Sequence, residues 1–388
     1  MSNSIVKSAR PLGVPWEASD PFLFCMYHND YYPQGNENLG PAASLRGRNI
    51  GQDFEGKDGW RMYHGSVVPG FPQHPHRGFE TVTIMRHGYV DHSDSLGATA
   101  RYGPGDVQWL TAGKGIVHSE MFPLLKQDAP NRLELFQIWL NLPGKDKFVE
   151  PHFAMLWDHN IPKHIERDAK NRSTEVILVA GHLGNSRAPA PPPHSWASRA
   201  DADVAIWTVK MEPEARFTLP PAAAGSARSI YFFRGDTLRF GKDHIPLNTR
   251  AELRTEVQVT IDNGSAEGEF LLLQGRPIGE PVVQYGPFVM NSRMEIQQAF
   301  EDYRRTEFGG WPWPSDDPVL PRNDGRYARY ADGRIEQIRG QRGGAHLNSV
   351  IQEFRCAPPL CPRICKKPIP VVRFSHAEQN QDSSAAHS

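Results

Sequence analysis

The first half of the chain consists of short apolar runs that Gly, Pro, Asn and Asp interrupt, from Phe22 to about Pro143. In "ETVTIM" (80–85) β-branched residues alternate between threonine and an aliphatic residue, and "VQWL" (107–110) follows a cluster of turn residues. Such a pattern is typical of short β-strands. The run "LELFQIWLNLP" (133–143) is apolar on both faces, which predicts a strand buried between two layers.

The second half repeats this pattern. Its strand candidates are residues 174–181, 203–211, 229–235, 256–262 and 269–275. Between the first two lies "SRAPAPPPHSWAS" (186–198), which contains too much proline for a helix or a central strand and predicts a surface loop. Many short strands at close spacing predict an all-β sandwich or barrel.

One segment has helical periodicity, "NSRMEIQQAFEDYRRTEFGG" (291–310). Ser292 and Glu295 have capping-box spacing at its start, and Gly309 lies where a C-cap is expected. From about Gly340 to the end at Ser388, apolar periodicity fails, and we expect this tail to be disordered.

Composition narrows the classes of protein further. The 388 residues can form one large core or two domains, and the net charge of -1 gives no overall attraction to nucleic acid or membrane. No apolar run approaches the roughly 20 residues of a membrane helix, and the N-terminus lacks the apolar region of a secretory signal. Four cysteines cannot cross-link a chain of this length, so we expect a reducing, intracellular location.

Two pairs of polar residues carry the candidate chemistry. His74 and His76 are two positions apart, and Pro75 between them favours an extended backbone. Side chains at such spacing on a strand point to the same face. His118 and Glu120 have the same spacing. On neighbouring strands of a barrel, these residues would offer three nitrogens and one carboxylate to Fe(II), Mn, Ni, Cu or Zn, without the thiolates of a structural zinc site.

A single His-x-His pair usually binds no metal, and only the two pairs together favour a metal site. Three cysteines near the end, with His376, lack the paired spacing of a zinc site; they are Cys356, Cys361 and Cys365. His244 in the second half stands alone, which predicts a surface histidine.

The stretches "HPHRGFETVT" and "GPGDVQWLTAGKGIVHSEM" resemble the pirin family, a branch of the cupin superfamily. The stretch "EPVVQYGPFVMN" (280–291) agrees, and the resemblance covers roughly residues 10–336. It implies an all-β fold of two stacked cupin β-barrels (a bicupin) with a short C-terminal helix, and one metal, generally iron, in the N-terminal barrel. The ligands it implies are His74, His76, His118 and Glu120. Glu80 is expected either to have a structural role or to contact the ligands without binding the metal itself.

Strand pattern and resemblance together divide the chain into six segments. These are a lead-in segment (1–20), a metal-binding cupin barrel (21–150), a second barrel without metal (151–290), the C-terminal helix (291–310), an extended segment (311–339) and the tail (340–388).

The resemblance also implies two alternative functions. In the first, the protein is a quercetin 2,3-dioxygenase that uses Fe(II), or else Mn, Ni or Cu, with O2 and a small aromatic substrate, and Glu120 is the general base. No further cofactor is expected beyond one metal per chain. In the second, it is a non-enzymatic, iron-dependent regulator or transcription cofactor that acts through protein contacts with a transcription factor or a metabolic enzyme.

Charge distribution and domain content give expectations about partners and location. The neutral core argues against direct nucleic-acid binding, while the basic stretch 322–376 is either a binding arm or, more often for such stretches, a solvated tail. A chain with two barrels is expected to be a monomer. We expect no membrane partner and a cytoplasmic location, or a nuclear one if the protein is eukaryotic.

Overall fold

The computed structural model describes residues 4–338, and β-strands dominate this part of the chain. In chain order, the first strands are β1 (Val6–Pro11), β2 (Trp16–Glu17), β3 (Phe22–Tyr32), β4 (Gly70–His76), β5 (Phe79–His87), β6 (Val90–Asp94), β7 (Thr99–Tyr102), β8 (Val107–Thr111), β9 (Ile116–Met121), β10 (Asn131–Asn141), β11 (His152–Leu156), β12 (Lys163–Arg167) and β13 (Ser173–Ala180).

The remaining strands follow the same short pattern. They are β14 (His182–Leu183), β15 (Ser186–Arg187), β16 (Ala205–Met211), β17 (Arg216–Leu219), β18 (Ala227–Arg234), β19 (Thr237–Phe240), β20 (Asp243–Pro246), β21 (Thr249–Leu253), β22 (Val259–Asn263), β23 (Gly268–Gly275), β24 (Val283–Tyr285), β25 (Phe288–Met290), β26 (Tyr327–Arg329) and β27 (Ile335–Gln337). Short 3-10 segments lie at Lys57–Gly59, Gly144–Asp146, Asp158–Asn160, Trp196–Ser198 and Glu307–Gly309.

The first barrel is built from two six-stranded antiparallel sheets. One has the order β11-β8-β5-β10-β3-β2, and the other has the order β27-β26-β7-β6-β9-β4. The strands at the end of the described chain, β26 and β27, therefore extend a sheet of the N-terminal barrel, where β26 pairs with β7.

The second barrel contains a seven-stranded sheet, β1-β21-β18-β23-β16-β13-β12, and a four-stranded sheet, β17-β22-β19-β20. The N-terminal strand β1 belongs to this second barrel, because it pairs with β21. A hydrophobic core fills the barrel, with Phe217, Phe232, Phe240 and Phe270 almost fully buried.

The two barrels share a third core between them. Phe136 and Ile138 on β10 pack in one cluster with Ile206 and Leu271 of the second barrel. The neighbouring residue Leu135 points instead into the first barrel's own core. The predicted strand in the run 133–143 is thus confirmed as buried between two layers.

The proline-rich segment 186–198 differs from the predicted surface loop at its end. Ser195 and Trp196 there are buried, and the Ser195 hydroxyl donates to Glu80 of the first barrel at 2.5 Å. Proline content excluded an α-helix and a central strand correctly, but it carries no information on which loop residues contact another domain.

The predicted helix is α1, Arg293–Thr306. Ser292 is its N-cap, and the Ser292 hydroxyl accepts from the Glu295 amide at 3.2 Å, as the capping box predicts. The C-cap is Glu307 in a left-handed conformation, two residues before the expected Gly309.

The predicted tail (340–388), with its cysteines and most of the basic stretch 322–376, lies outside the described residues. Among the described residues, no helix is both long enough and apolar enough to cross a membrane.

Candidate metal centre

The two polar pairs of the sequence lie on neighbouring antiparallel strands. On β4 and β9, His74 is directly opposite His118, and their ring centroids are 4.4 Å apart. His76 follows on the same face of β4, with its ring 4.9 Å from that of His118. The predicted face-sharing of His74 and His76 is therefore found, and the strand pairing adds the third imidazole.

A bulge in β4 decides what else faces this cluster. Phe71 is opposite Glu120 and His74 is opposite His118, so two residues of β4, Pro72 and Gln73, face a single residue of β9. A bulge of this kind changes which face the following residues point to. Phe71 and His74 are three positions apart and would otherwise lie on opposite faces, but both now face the barrel interior.

Hydrogen bonds at Nδ1 fix two of the imidazoles. Nδ1 of His74 lies 2.8 Å from the carbonyl oxygen of Pro72, and Nδ1 of His76 lies 3.4 Å from that of Pro287. A carbonyl can only accept, so each Nδ1 carries the proton and each Nε2 presents a lone pair. This is the ring arrangement that a histidine ligand of a metal requires.

The cluster fits a metal ion. One ring nitrogen from each of His74, His76 and His118 lies within 4.8 Å of the others. Burial lowers the pKa of His74 to about 4 and lowers the pKa values of His76 and His118 well below their ordinary value, so the imidazoles are neutral at pH 7. Both ring nitrogens of His118 are buried without a hydrogen-bond partner among the described residues, and a metal would coordinate the lone pair of one of them.

Glu120, the predicted fourth ligand and base, lies beside this group. Its Oε2 is 3.9 Å from Nε2 of His118, and the same oxygen accepts from the Gln137 amide at 2.7 Å. Burial raises the pKa of Glu120, while His92, Gln137 and Thr83 oppose that rise. Its coordination and its catalytic role remain predictions.

Glu80 points away from the centre. Thr83 on the same strand faces Glu120 inside the barrel, with the oxygens 3.5 Å apart. Glu80 is three positions away on the strand, so its side chain points to the opposite face. Its carboxylate accepts from the hydroxyls of Thr111 at 2.7 Å and Ser195 at 2.5 Å. Of the two roles left open for Glu80, the structure supports the structural one, at the contact between the barrels.

Several residues near the centre carried no motif in the sequence. His92 is fully buried opposite Glu120, and its Nε2 lies 3.2 Å from Asp94. Trp139 packs its ring 5.3 Å from that of His76 and helps to exclude water there. His244, by contrast, is exposed on β20, as predicted. The pairing of His92 with Glu120 on the neighbouring strand would have identified His92 as a residue of the site, but the sequence does not give the strand register.

Comparisons with known proteins agree with this architecture. The family model of pirin matches residues 15–140, and that of the pirin C-terminal cupin domain matches residues 206–309. Pirin-1 of Arabidopsis thaliana is 37% identical over 252 residues, which are 63% of this chain and 80% of that protein. Pirin of Homo sapiens is 35% identical over 284 residues, 70% of this chain and 90% of that protein.

A crystal structure of quercetin 2,3-dioxygenase from Acinetobacter baumannii has the same fold. Its TM-score is 0.61 at 25% sequence identity, and the match covers 79% of this chain and 98% of that chain.

Two such barrels, one of them with three clustered imidazoles, define a bicupin with a candidate metal site. The chain belongs to the pirin family. The all-β fold of two cupin barrels with a short C-terminal helix, predicted from the sequence, is thereby confirmed.

Proposed function

We propose that the protein is a metal-dependent flavonol 2,3-dioxygenase of the quercetinase type. The observation that carries the proposal is the set of three neutral imidazoles, with one ring nitrogen of each within 4.8 Å of the others and a carboxylate beside them. The similarity to the Acinetobacter baumannii quercetin 2,3-dioxygenase structure supports the reaction class. One flavonol and one O2 would give one ring-opened ester and one carbon monoxide.

His74, His76 and His118 would hold the ion, with Glu120 as the predicted fourth ligand. Fe(II) is the ion we propose, and the same donors also suit Mn, Ni or Cu. A bound divalent ion would supply Lewis acidity towards the substrate's oxygens and a redox partner for dioxygen.

The chain's own residues then account for orientation and proton transfer. Glu120 accepts the proton of the flavonol 3-hydroxyl, and Gln137 holds that carboxylate in place through its Oε2. Because burial favours the protonated form of Glu120, the carboxyl can also keep the proton during the reaction. The rings of Phe79 and Trp139, stacked 3.9 Å apart, exclude water beside His76.

The test combines metal content with turnover. Purified protein is loaded with Fe(II), and quercetin-dependent O2 uptake and carbon monoxide release are measured together. We expect His118→Ala to lose both metal and turnover, and Glu120→Gln to lose turnover. His244→Ala, at an exposed histidine far from the ligands in sequence, is the matched control and should behave as the wild type. Iron-loaded wild type without O2 uptake would refute the dioxygenase.

A second function has one observation in its favour. The ligand His76 contacts Pro287, in the segment that leads into α1, so the metal site is connected to a surface helix. An iron-dependent regulator could use this connection to present α1 to a protein partner. Metal-dependent amide exchange in residues 283–306, together with absent turnover, would favour the regulator, and unchanged exchange would exclude this route.

A further inference from the structure

Two imidazoles outside the metal cluster face the same aromatic residue. The ring of Phe71 lies 5.9 Å from that of His28, 5.7 Å from that of His64 and 6.2 Å from that of the metal-cluster residue His74. His28 and His64 belong to neither of the motifs on β4 and β9, and the proposed reaction gives them no role.

His28 lies on the interior face of the first barrel. On β3 it is opposite Leu135, while Met26, two residues earlier, is opposite Gln137. Gln137 reaches Glu120 inside the barrel, so Met26 and His28 share that interior face. The β4 bulge turns Phe71 to the interior as well, so His28, Phe71 and the metal cluster lie on the inner side of the same barrel.

A chain of hydrogen bonds fixes the tautomer of His28. The Tyr63 hydroxyl donates to Asp30 at 2.6 Å, and Asp30 is paired with Arg61 at 3.0 Å. Because the hydroxyl hydrogen of Tyr63 is already donated to Asp30, the Tyr63 oxygen accepts from Nδ1 of His28, 2.8 Å away. Nε2 of His28 is then unprotonated. Burial, assisted by Arg61, lowers the pKa of His28 to about 3, which keeps the ring neutral.

His64 has the same arrangement through a different partner. Its Nδ1 lies 2.6 Å from the carbonyl oxygen of Gly51 and must donate to it. Its Nε2 is therefore an acceptor, and that atom is buried with no hydrogen-bond partner among residues 4–338. A buried acceptor without a donor is costly unless a ligand or water supplies one.

The backbone of the segment before β4 is strained to place Tyr63. Tyr63 has a φ of 57°, a left-handed conformation that is unfavourable for a tyrosine. Two backbone hydrogen bonds to Asp53, at 2.9 and 3.0 Å, hold it there. Strain of this kind persists where the surrounding structure enforces it, and here it positions the hydroxyl that orients His28.

The rings between these imidazoles form a continuous aromatic wall, which we define as Phe54, Tyr63, Phe71 and Phe122. Neighbouring rings in the wall are 5.1 to 6.0 Å apart. Phe54, at its outer end, is 38% exposed, whereas Tyr63 is 2% exposed. The wall thus leads from the surface towards His74, and it suits a flat aromatic ligand.

We propose that the aromatic wall, with His28 and His64 as fixed hydrogen-bond acceptors, is the subsite that binds the hydroxylated pendant ring of the substrate. This inference rests on the proposed function for the identity of the ligand, a flavonol whose other end lies at the metal. Nε2 of His64 lacks a donor, and Nε2 of His28 can accept from one, so the subsite selects aromatic rings that carry hydroxyl groups over rings that carry none. His28 and His64 are specificity residues, and Tyr63 is a positioning residue that acts through His28.

The test measures binding without turnover. Metal-loaded protein is titrated under anaerobic conditions with quercetin, whose pendant ring has two hydroxyls, and with galangin, whose pendant ring has none. We expect His28→Phe to weaken quercetin binding about 10-fold and to leave galangin binding unchanged. Tyr63→Phe keeps the ring but frees His28 to change tautomer, and about a 3-fold loss for quercetin is expected. Metal content is measured for each variant, with His244→Phe as the control.

The outcomes separate this inference from the dioxygenase. If wild type, His28→Phe and Tyr63→Phe all prefer quercetin over galangin by the same factor, the subsite is overturned. This holds even if the protein releases carbon monoxide from quercetin once air is admitted. A preference lost in His28→Phe, without carbon monoxide in air, would support the subsite and refute the dioxygenase. If His28→Phe fails to fold, Tyr63→Phe and His64→Phe carry the same comparison, and an unchanged preference in both overturns the inference.

Discussion

Nδ1 of His76 lies 3.4 Å from the carbonyl oxygen of Pro287, although 211 residues separate the two along the chain. The contact extends to the next residues, because the amide of Val289 donates to the carbonyl oxygen of Arg77 at 3.0 Å. A segment that follows β23, the last strand in the sheets of the second barrel, therefore orients a predicted metal ligand in the first. Second-layer contacts of this kind commonly set the affinity of a metal site.

Lys147 holds this contact together, and its removal should loosen the metal site. Its buried Nζ donates to the carbonyl oxygens of Gly78 and Val289 and to the side chain of Asn141, at 2.7 to 3.1 Å. Lys147→Met leaves these acceptors unpaired. We expect the free energy of unfolding of the metal-free protein to fall by about 3 kcal/mol and the metal Kd to rise about 10-fold. Urea unfolding and metal titration measure the two effects.

Lys145→Met is the control for Lys147→Met, because Lys145 is exposed on the same turn. It should change neither quantity. If both variants bind metal as the wild type does, Lys147 has no part in orienting His76.

Glu80 should make the protein less stable as the pH rises. Burial raises its pKa from the ordinary 4.5 to about 7, against the opposing hydrogen bonds from Ser195 and Thr111. Folding thus disfavours the ionised carboxylate. Its stabilising contribution is complete below pH 4.5 and is lost as the pH rises through 7, a difference of about 3 kcal/mol for this shift.

Glu80→Gln cannot ionise and should remove this pH dependence. Urea unfolding of the metal-free protein between pH 5 and pH 8.5 checks it, since EDTA excludes metal release as a cause. The difference in unfolding free energy between wild type and variant should shift in favour of the variant from pH 5 to about pH 7 and stay constant above that. Glu55→Gln, at an exposed carboxylate, should follow the wild type. Parallel curves for wild type and Glu80→Gln would contradict the prediction.

The sequence allowed the facing of each polar pair to be predicted, because side chains on a strand alternate with a period of two. His74 and His76 share a face for that reason, and the pairing of β4 with β9 adds His118. The same rule does not hold between Phe71 and His74, because the bulge at Pro72 and Gln73 puts both side chains on one face. No local sequence pattern predicts this bulge. The period also cannot say which face is the interior, so the outward direction of Glu80 became clear only from its contacts with Thr111 and Ser195.

Contacts between distant segments could not be predicted from the sequence, for a different reason. His28 and Tyr63 are 35 residues apart and meet through a hydrogen bond that depends on a strained backbone at Tyr63. Propensity disfavours such a conformation, so a sequence argument excludes it. The backbone hydrogen bonds to Asp53 and the packing of the Tyr63 ring against Phe71 and Phe122 hold it in that conformation.

Gln137 should matter for turnover more than for metal binding. Its amide donates to Oε2 of Glu120 at 2.7 Å, and it touches none of the three clustered imidazoles by a hydrogen bond among the described residues. If Glu120 is the proposed base, Gln137→Leu should lower quercetin-dependent O2 uptake about 10-fold at unchanged iron content. Gln297→Leu, on the exposed face of α1, is the control. A parallel loss of iron would instead make Glu120 chiefly a ligand.

Gly70, at the start of β4, should tolerate no side chain. It has a φ of 136°, and a Cβ atom there would lie 2.5 Å from the carbonyl oxygen of Glu120 and 2.8 Å from Cα of Met121. Gly97→Ala is a matched control, because Gly97 has a φ of 86° but nothing within 4 Å of the added atom. Both variants bear the cost of a left-handed alanine, about 1 to 2 kcal/mol, and only Gly70→Ala forces β4 and β9 apart.

We therefore expect Gly70→Ala to lose at least about 2 kcal/mol more unfolding free energy than Gly97→Ala. Because β4 carries His74 and β9 carries His118, separating the strands should also weaken metal binding, while Gly97→Ala should bind metal as the wild type does. Urea unfolding without metal and a metal titration of both variants measure the two effects. Equal losses for the two glycines would mean that the strands adapt to the extra atom, and that the close pairing of His74 with His118 does not depend on Gly70.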